Sequence, residues 1–214
     1  MATVLKLVMG KPAENAKDSC CTDSPVHTID IYDLPNVDLS KYRGLICTMG
    51  CDQVFLYKHR DRITQWVRAG GTLLASGHPM LPFVDGLPAT RKMQFHGLED
   101  VWLTAREPHP VWEGIDRTDV LFNTGVPGTR TFDELKKIGV AGFYARNYLA
   151  QLPAGATVIT GLGPTGLPVD ISYRLGKGEV IVHAGNDLLS FDRPGTSTEG
   201  WKATIISYLE GNIR

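Results

Sequence analysis

The chain has no hydrophobic run near the ~20 residues that cross a bilayer as a helix, so a membrane span is not expected. It has no excess of either charge. Its 22 Lys and Arg stand against 23 Asp and Glu, a net charge of -1. That gives no electrostatic footing for nucleic acid or an anionic membrane partner. Cysteine is scarce. The four, Cys20, Cys21, Cys47 and Cys51, contain no pair with the CxxC spacing of a zinc or redox motif. Reduced thiols in a cytoplasmic protein are the plain expectation. No internal repeat or low-complexity linker interrupts the chain. The Gly-rich pieces GLGPTG (161 to 166) and LGKG (175 to 178) lack the strand–loop–helix setting of a phosphate loop. No cofactor and no metal is implied, because the spacing of His, Cys and Asp is not diagnostic of ligands.

What remains is ordinary globular material. At 214 residues, 43% hydrophobic and 21% charged, the chain suits one domain with a sizeable core. The N-terminal apolar run, Thr3 to Met9, has no basic leader or cleavage site and reads as a buried first strand. Residues 11 to 25 are polar and aperiodic, and a loop with at most a short helical piece, covering the site, is expected there. HTIDIY (27 to 32) alternates as a second strand. GLICT (44 to 48) is a third, fully apolar. The stripe Val54, Phe55, Ile63, Trp66 and Val67 predicts an amphipathic helix, with Asp52 as its cap and Gly70-Gly71 as its stop. Thr72 to Ala75 is a fourth strand. Residues from about 80 to 150 read as a β-rich insertion. Thr157 to Thr160 is a later strand. Leu167 to Tyr173 and Gly178 to His183 form a hairpin, and Thr198 to Leu209 a C-terminal helix.

The ordered set GLICTMGCD, ITQWVRAGGTLLASGHP, PHPVWEGI and ISYRLGKGEVIVHAGND resembles the class I glutamine amidotransferase-like superfamily. Within it the likeness is to the trehalose-utilisation (ThuA-like) branch. The resemblance implies a flavodoxin-like, three-layer α/β/α sandwich with a mainly parallel sheet, and a single domain over 1–214. It implies a nucleophilic cysteine after the strand at 72 to 75, yet Ala75 stands there with Ser76 beside it. It also implies a histidine ending a late strand with a carboxylate two residues on. His183 fits, but the next residues are Ala184, Gly185, Asn186 and Asp187. Glutamine hydrolysis through a cysteine is therefore not expected.

In open α/β sheets ligands bind at the carboxyl ends of strands, which singles out several side chains. His78, Ser76, Cys51 and a His183–Asp187 pair are the candidate catalytic groups, with imidazoles suited to acid–base work. Cys51 lies near a helix start that lowers a thiol pKa, with Asp52 opposing. Gly50, Asp52 and Asn186, together with His109, Tyr144 and Arg146 from the insertion, are the candidate substrate contacts. The expected partner is a small polar metabolite, sugar derivatives included, handled by hydrolase or isomerase chemistry. A non-catalytic scaffold that has lost its nucleophile and a cysteine hydrolase using Cys51 are the alternatives. The apolar loop Met80 to Pro88 is either a contact for a second copy or protein partner, or a cover for the domain's own core.

Overall fold

The computed structural model describes residues 3–10, 25–123, 137 and 142–213. The segment 11–24, with Cys20 and Cys21, lies outside them, so the expectation of a short covering element there is not addressed. Twelve strands occur among the described residues: β1 (Val4–Val8), β2 (Val26–Asp30), β3 (Gly44–Cys47), β4 (Thr72–Ser76), β5 (Ala89–Lys92), β6 (Leu103–Ala105), β7 (Phe122–Asn123), β8 (Gly142–Phe143), β9 (Asn147–Ala150), β10 (Thr157–Leu162), β11 (Leu167–Leu175) and β12 (Gly178–His183). Eight form one sheet in the order β2-β1-β3-β4-β12-β11-β10-β6. The pairings from β2 through β12 are parallel, and those from β12 to β6 are antiparallel. The fold is thus α/β around a large, mostly parallel sheet.

Alternation along each strand divides the core in two. Leu5, Leu7, Leu45, Cys47, Leu73, Ala75, Val180 and Val182 face one cluster. Val4, Ile46, Leu74 and Ile181 face the other. The first cluster takes Leu56 of α1 (Gln53–Lys58) and Ile63, Trp66 and Val67 of α2 (Arg60–Ala69). A four-residue turn of helix, α3 (Arg117–Val120), and α4 (Trp201–Leu209) contribute Val120, Trp201, Ile205, Ile206 and Leu209 to the second. Such two-faced burial explains why the central parallel strands read as unbroken apolar runs.

The expected single helix over 53–69 is two, meeting at His59 (φ −105°, ψ 13°). The bend lets Leu56 and Ile63, both fully buried, reach the same cluster. Gly70 ends α2 with φ +127°, a conformation that side-chain-bearing residues rarely adopt. The second strand stops at Asp30, whose carboxylate accepts from the Tyr32 N–H and starts a 3-10 turn over Ile31–Asn36. The insertion is not detached: β6 extends the main sheet beside β10, while β5 and β9 make a separate two-stranded ribbon. In the 80–88 loop, Phe83, Val84 and Leu87 are buried against the first cluster, and of its large apolar side chains only Met80 is exposed. That loop covers its own core.

Candidate functional site

A hydrogen-bonded row of buried side chains ends at the carboxyl edge of the sheet. Ser76, His183, Asp170 and Thr160 sit in register on four adjacent strands, so their side chains leave the same face. His183 Nδ1 and Asp170 Oδ1 are 2.6 Å apart, and both residues are fully buried. The Tyr144 hydroxyl donates to Asp170 Oδ2 at 2.9 Å and accepts from Trp112 Nε1 at 3.1 Å. Indole is only a donor and a carboxylate only an acceptor. The direction is therefore set: Trp112 to Tyr144 to Asp170, with His183 Nδ1–H donating from the other side. Burial, then the Asp170 carboxylate, holds the Tyr144 phenol well above its usual pKa, which keeps its proton available to donate.

With Nδ1 committed as a donor, His183 Nε2 carries the lone pair. It is buried and has no hydrogen-bond partner among the described residues. A proton there would be a buried donor without an acceptor, a state that costs about 1–3 kcal/mol. Gly185 covers this atom: a Cβ at 185 would stand 2.6 Å from Nε2. Gly185 in turn lines a cleft of about 280 Å³ with His78, Gly142, Phe143, Tyr144, Ala145, Arg146 and Asn186. The imidazole nitrogen thus lies behind a residue with no side chain, at the cleft wall.

His78 is half-buried in that cleft, its Nδ1 2.7 Å from the amide nitrogen of Asn147. The amide donates, so Nδ1 accepts. Burial, and secondly the neighbouring His183 imidazole, push the His78 pKa below the ordinary 6.5. The unfolded chain therefore takes a proton at higher pH than folded His78 does. The resulting stability is complete above pH 6.5 and is lost as pH falls through the lowered folded value. An NMR titration of the His78 ring is expected to give a midpoint below 6.5, while a midpoint at or above it would contradict this environment.

Of the residues singled out by sequence, His78, Tyr144, Arg146 and Asn186 meet at this cleft and His183 lies just beneath it. Ser76 neighbours His183 in register. Tyr144 reaches the cleft only with its body, because its hydroxyl is engaged by Asp170 and Trp112. Asn186 Nδ2 donates to the Phe143 carbonyl and holds the 142–145 segment against the strand end.

Others have different places. Asp187 is not the partner of His183. Its carboxylate accepts from the Met49 N–H at 2.6 Å and ties the 48–52 loop to the chain after β12. Cys51 is buried in the core, its thiol near Thr48 Oγ1 and the Leu7 carbonyl, each at 3.5 Å. Burial pushes that thiol up, so it is held as a thiol and is unsuited to attack. Asp52 caps α1 through Val54 N–H (2.9 Å) and Phe55 N–H (3.0 Å). Those bonds, the one to Phe55 foremost, hold its carboxyl below the usual range. Gly50 is exposed with open space around it. Ala75, at the place where the sequence resemblance implies a nucleophile, is buried facing the α1–α2 cluster.

His109 sits away from the cleft. The PHP turn aims it at Glu179, with Nε2 3.6 Å from Oε1, while Nδ1 accepts from the Val111 N–H. Glu179 is near the start of β12 and His183 is its end, roughly 13 Å along the strand at 3.3 Å per residue. Three residues that position the side chains of this candidate site were not picked out from the sequence. Asp170 orients His183, Asn147 holds His78, and Gln53 braces the His78 loop by donating to the His78 carbonyl and accepting from the Met80 and Leu81 N–H groups. Among the described residues no three His, Cys, Asp or Glu side chains converge as a metal site requires.

No family model and no curated protein matches the chain. Its fold has solved counterparts. A cytoplasmic protein, STM3548 from Salmonella typhimurium, aligns with a TM-score of 0.52 at 13% identity, over 88% of this chain and 81% of that one. The cold-adapted β-galactosidase from Rahnella sp. R3 aligns with a TM-score of 0.50 at 14% identity, over 98% of this chain. The chain spans 31% of that enzyme's length. At such identities the likeness is one of fold.

Proposed function

We propose that this protein is a single amidotransferase-like domain of the flavodoxin-like, three-layer α/β/α type, close to the ThuA-like branch and without a cysteine nucleophile. It binds a small polar metabolite, carbohydrate derivatives included, in the cleft at the carboxyl edge of the sheet. His183 accepts a proton through Nε2, and His78, which lines the cleft, positions or protonates the reacting group, in a hydrolysis or isomerisation. One observation carries this reading. The chain Trp112–Tyr144–Asp170–His183 is satisfied at every link and ends on one unpartnered buried acceptor next to a polar cleft. A fully buried polar chain adds little net stability over well-packed apolar residues, so a terminal free acceptor points to use.

The test is a panel of neutral sugars and sugar acids, scored for turnover and for perturbation of the His78 ring resonance. The expected result is a member that does both, with turnover abolished in His183→Asn and binding retained. The scaffold reading is favoured by the buried Ala75 at the nucleophile position and by the covering of His183. It prevails if no panel member perturbs His78 and the His183→Asn protein keeps its biological activity.

A further inference from the structure

The cleft opens onto a cationic groove that the His78–His183 chemistry does not use. Lys92 lies directly opposite Asn147 in the antiparallel β5–β9 ribbon. Opposed side chains leave the same face of a ribbon, and here that face also buries Thr90 and Leu149. Lys92 therefore stands beside the amide that holds His78, although its ammonium is exposed. Arg146 lines the His78 cleft and also a groove of about 620 Å³ that it shares with Lys92, Phe95 and His96. Its guanidinium is placed over the Phe143 ring, 5.3 Å from the centroid.

Around this groove stand two cations, Lys92 and Arg146, and the Asp100 carboxylate, which lines an adjoining groove with Lys92 and His96. His96 has Asp100 at 3.6 Å. Among the described residues Lys92 and Arg146 form no ion pair, whereas the exposed Arg60 and Arg68 each have an aspartate within 3.2 Å. Two cations with no ion pair among the described residues, on one concavity continuous through Arg146 with the cleft, form a cradle for negative charge. Guanidinium suits planar or tetrahedral oxyanions, and ammonium adds a point charge.

We propose that Lys92 and Arg146 form an anion subsite that takes the carboxylate or phosphate of a small metabolite, whose uncharged part extends to His78. The second half of this proposal rests on the cleft reading above; the anion subsite itself does not.

The test uses the full chain and follows Arg146 Nε–H and His78 ring signals by NMR during titration with inorganic phosphate, glucose, glucuronate and glucose 6-phosphate. An acidic member is expected to bind about tenfold or more tightly than glucose. Whichever of glucuronate and glucose 6-phosphate binds tighter identifies the anion. The Lys92→Ala variant, outside the His78 cleft, should shrink that preference and leave glucose binding unchanged, and the Lys92→Ala/Arg146→Ala double variant should erase the preference. The preference should also shrink when salt is raised from about 0.05 M to 0.5 M, since exposed charges are screened. Equal binding of glucose and both acids, or an undiminished preference in the double variant, overturns the subsite. Phosphate that perturbs Arg146, and does so less in Lys92→Ala, supports it even where no sugar shifts His78; the metabolite reading then fails alone.

Discussion

Replacing Asp170 by alanine is expected to destabilise the fold by about 3–5 kcal/mol, the scale for removing one partner of a buried polar pair. Two donors, His183 Nδ1–H and the Tyr144 hydroxyl, lose their acceptor in a region closed to water. Against a typical domain stability of about 5–15 kcal/mol, this is a large fraction, and urea unfolding measures it directly. Asp170→Asn keeps the volume and separates folding from chemistry. An amide offers one oxygen to two donors and turns its NH2 on the other. His183 then gains by accepting at Nδ1, which moves its proton to Nε2. Stability should fall less than in the alanine variant. Turnover of any substrate should fall by a factor on the order of 10³–10⁴, the scale seen when a catalytic imidazole is locked in the wrong tautomer. An Asp170→Asn protein with undiminished turnover would remove His183 from the proposed chemistry.

Gly185→Ala is expected to be the most damaging single-methyl change near the cleft. A Cβ there overlaps the Tyr144 carbonyl oxygen and stands 2.6 Å from His183 Nε2. The carbonyl is backbone and already accepts from the Asn186 N–H. Ala145 bridges to Gly185 itself. Relief therefore requires the 142–145 segment to lift from the strand end. The expected loss is about 3 kcal/mol, the upper part of the overpacking range, together with a change in the His78 and Tyr144 environments by NMR. Gly50→Ala is the matched control. A Cβ at 50 meets nothing within 4 Å, so its effect should stay within about 0.5 kcal/mol. Equal stability of the two variants would mean that the 142–145 segment does not pack on Gly185 as described.

The stretch 42 to 79 was legible because its signals are local. Buried apolar strands, an Asp cap, a helical stripe and a Gly-Gly stop each depend on neighbours in sequence, and they located β3, β4 and the loop bearing His78. The orienting carboxylate was sought at Asp187, close in sequence to His183, whereas a hairpin brings distant residues together. Leu175 pairs with Gly178 across the Gly176-Lys177 turn, and that register places Asp170 opposite His183. Counting back from the turn would have found it, since a hairpin's register follows from its turn. Tyr144 and Trp112 had no such route. Tyr144 reaches Asp170, and Trp112 reaches Tyr144, from separate segments of the insertion, through packing that no periodicity reveals. Cys51 looked reactive because a helix begins nearby, but burial outweighs that proximity. His109 read as a loop residue near a site because PHP says where a turn is, not which edge of the sheet it faces.

His183 keeps a bare Nε2 behind Gly185 because Asp170 holds its Nδ1–H. Nitrogen-15 NMR of the His183 ring at neutral pH tests this most directly. The expected spectrum has a pyrrole-type Nδ1 and a pyridine-type Nε2, exchanging their characters in Asp170→Asn. A protonated Nε2 in the native protein, or a tautomer that ignores residue 170, would contradict it.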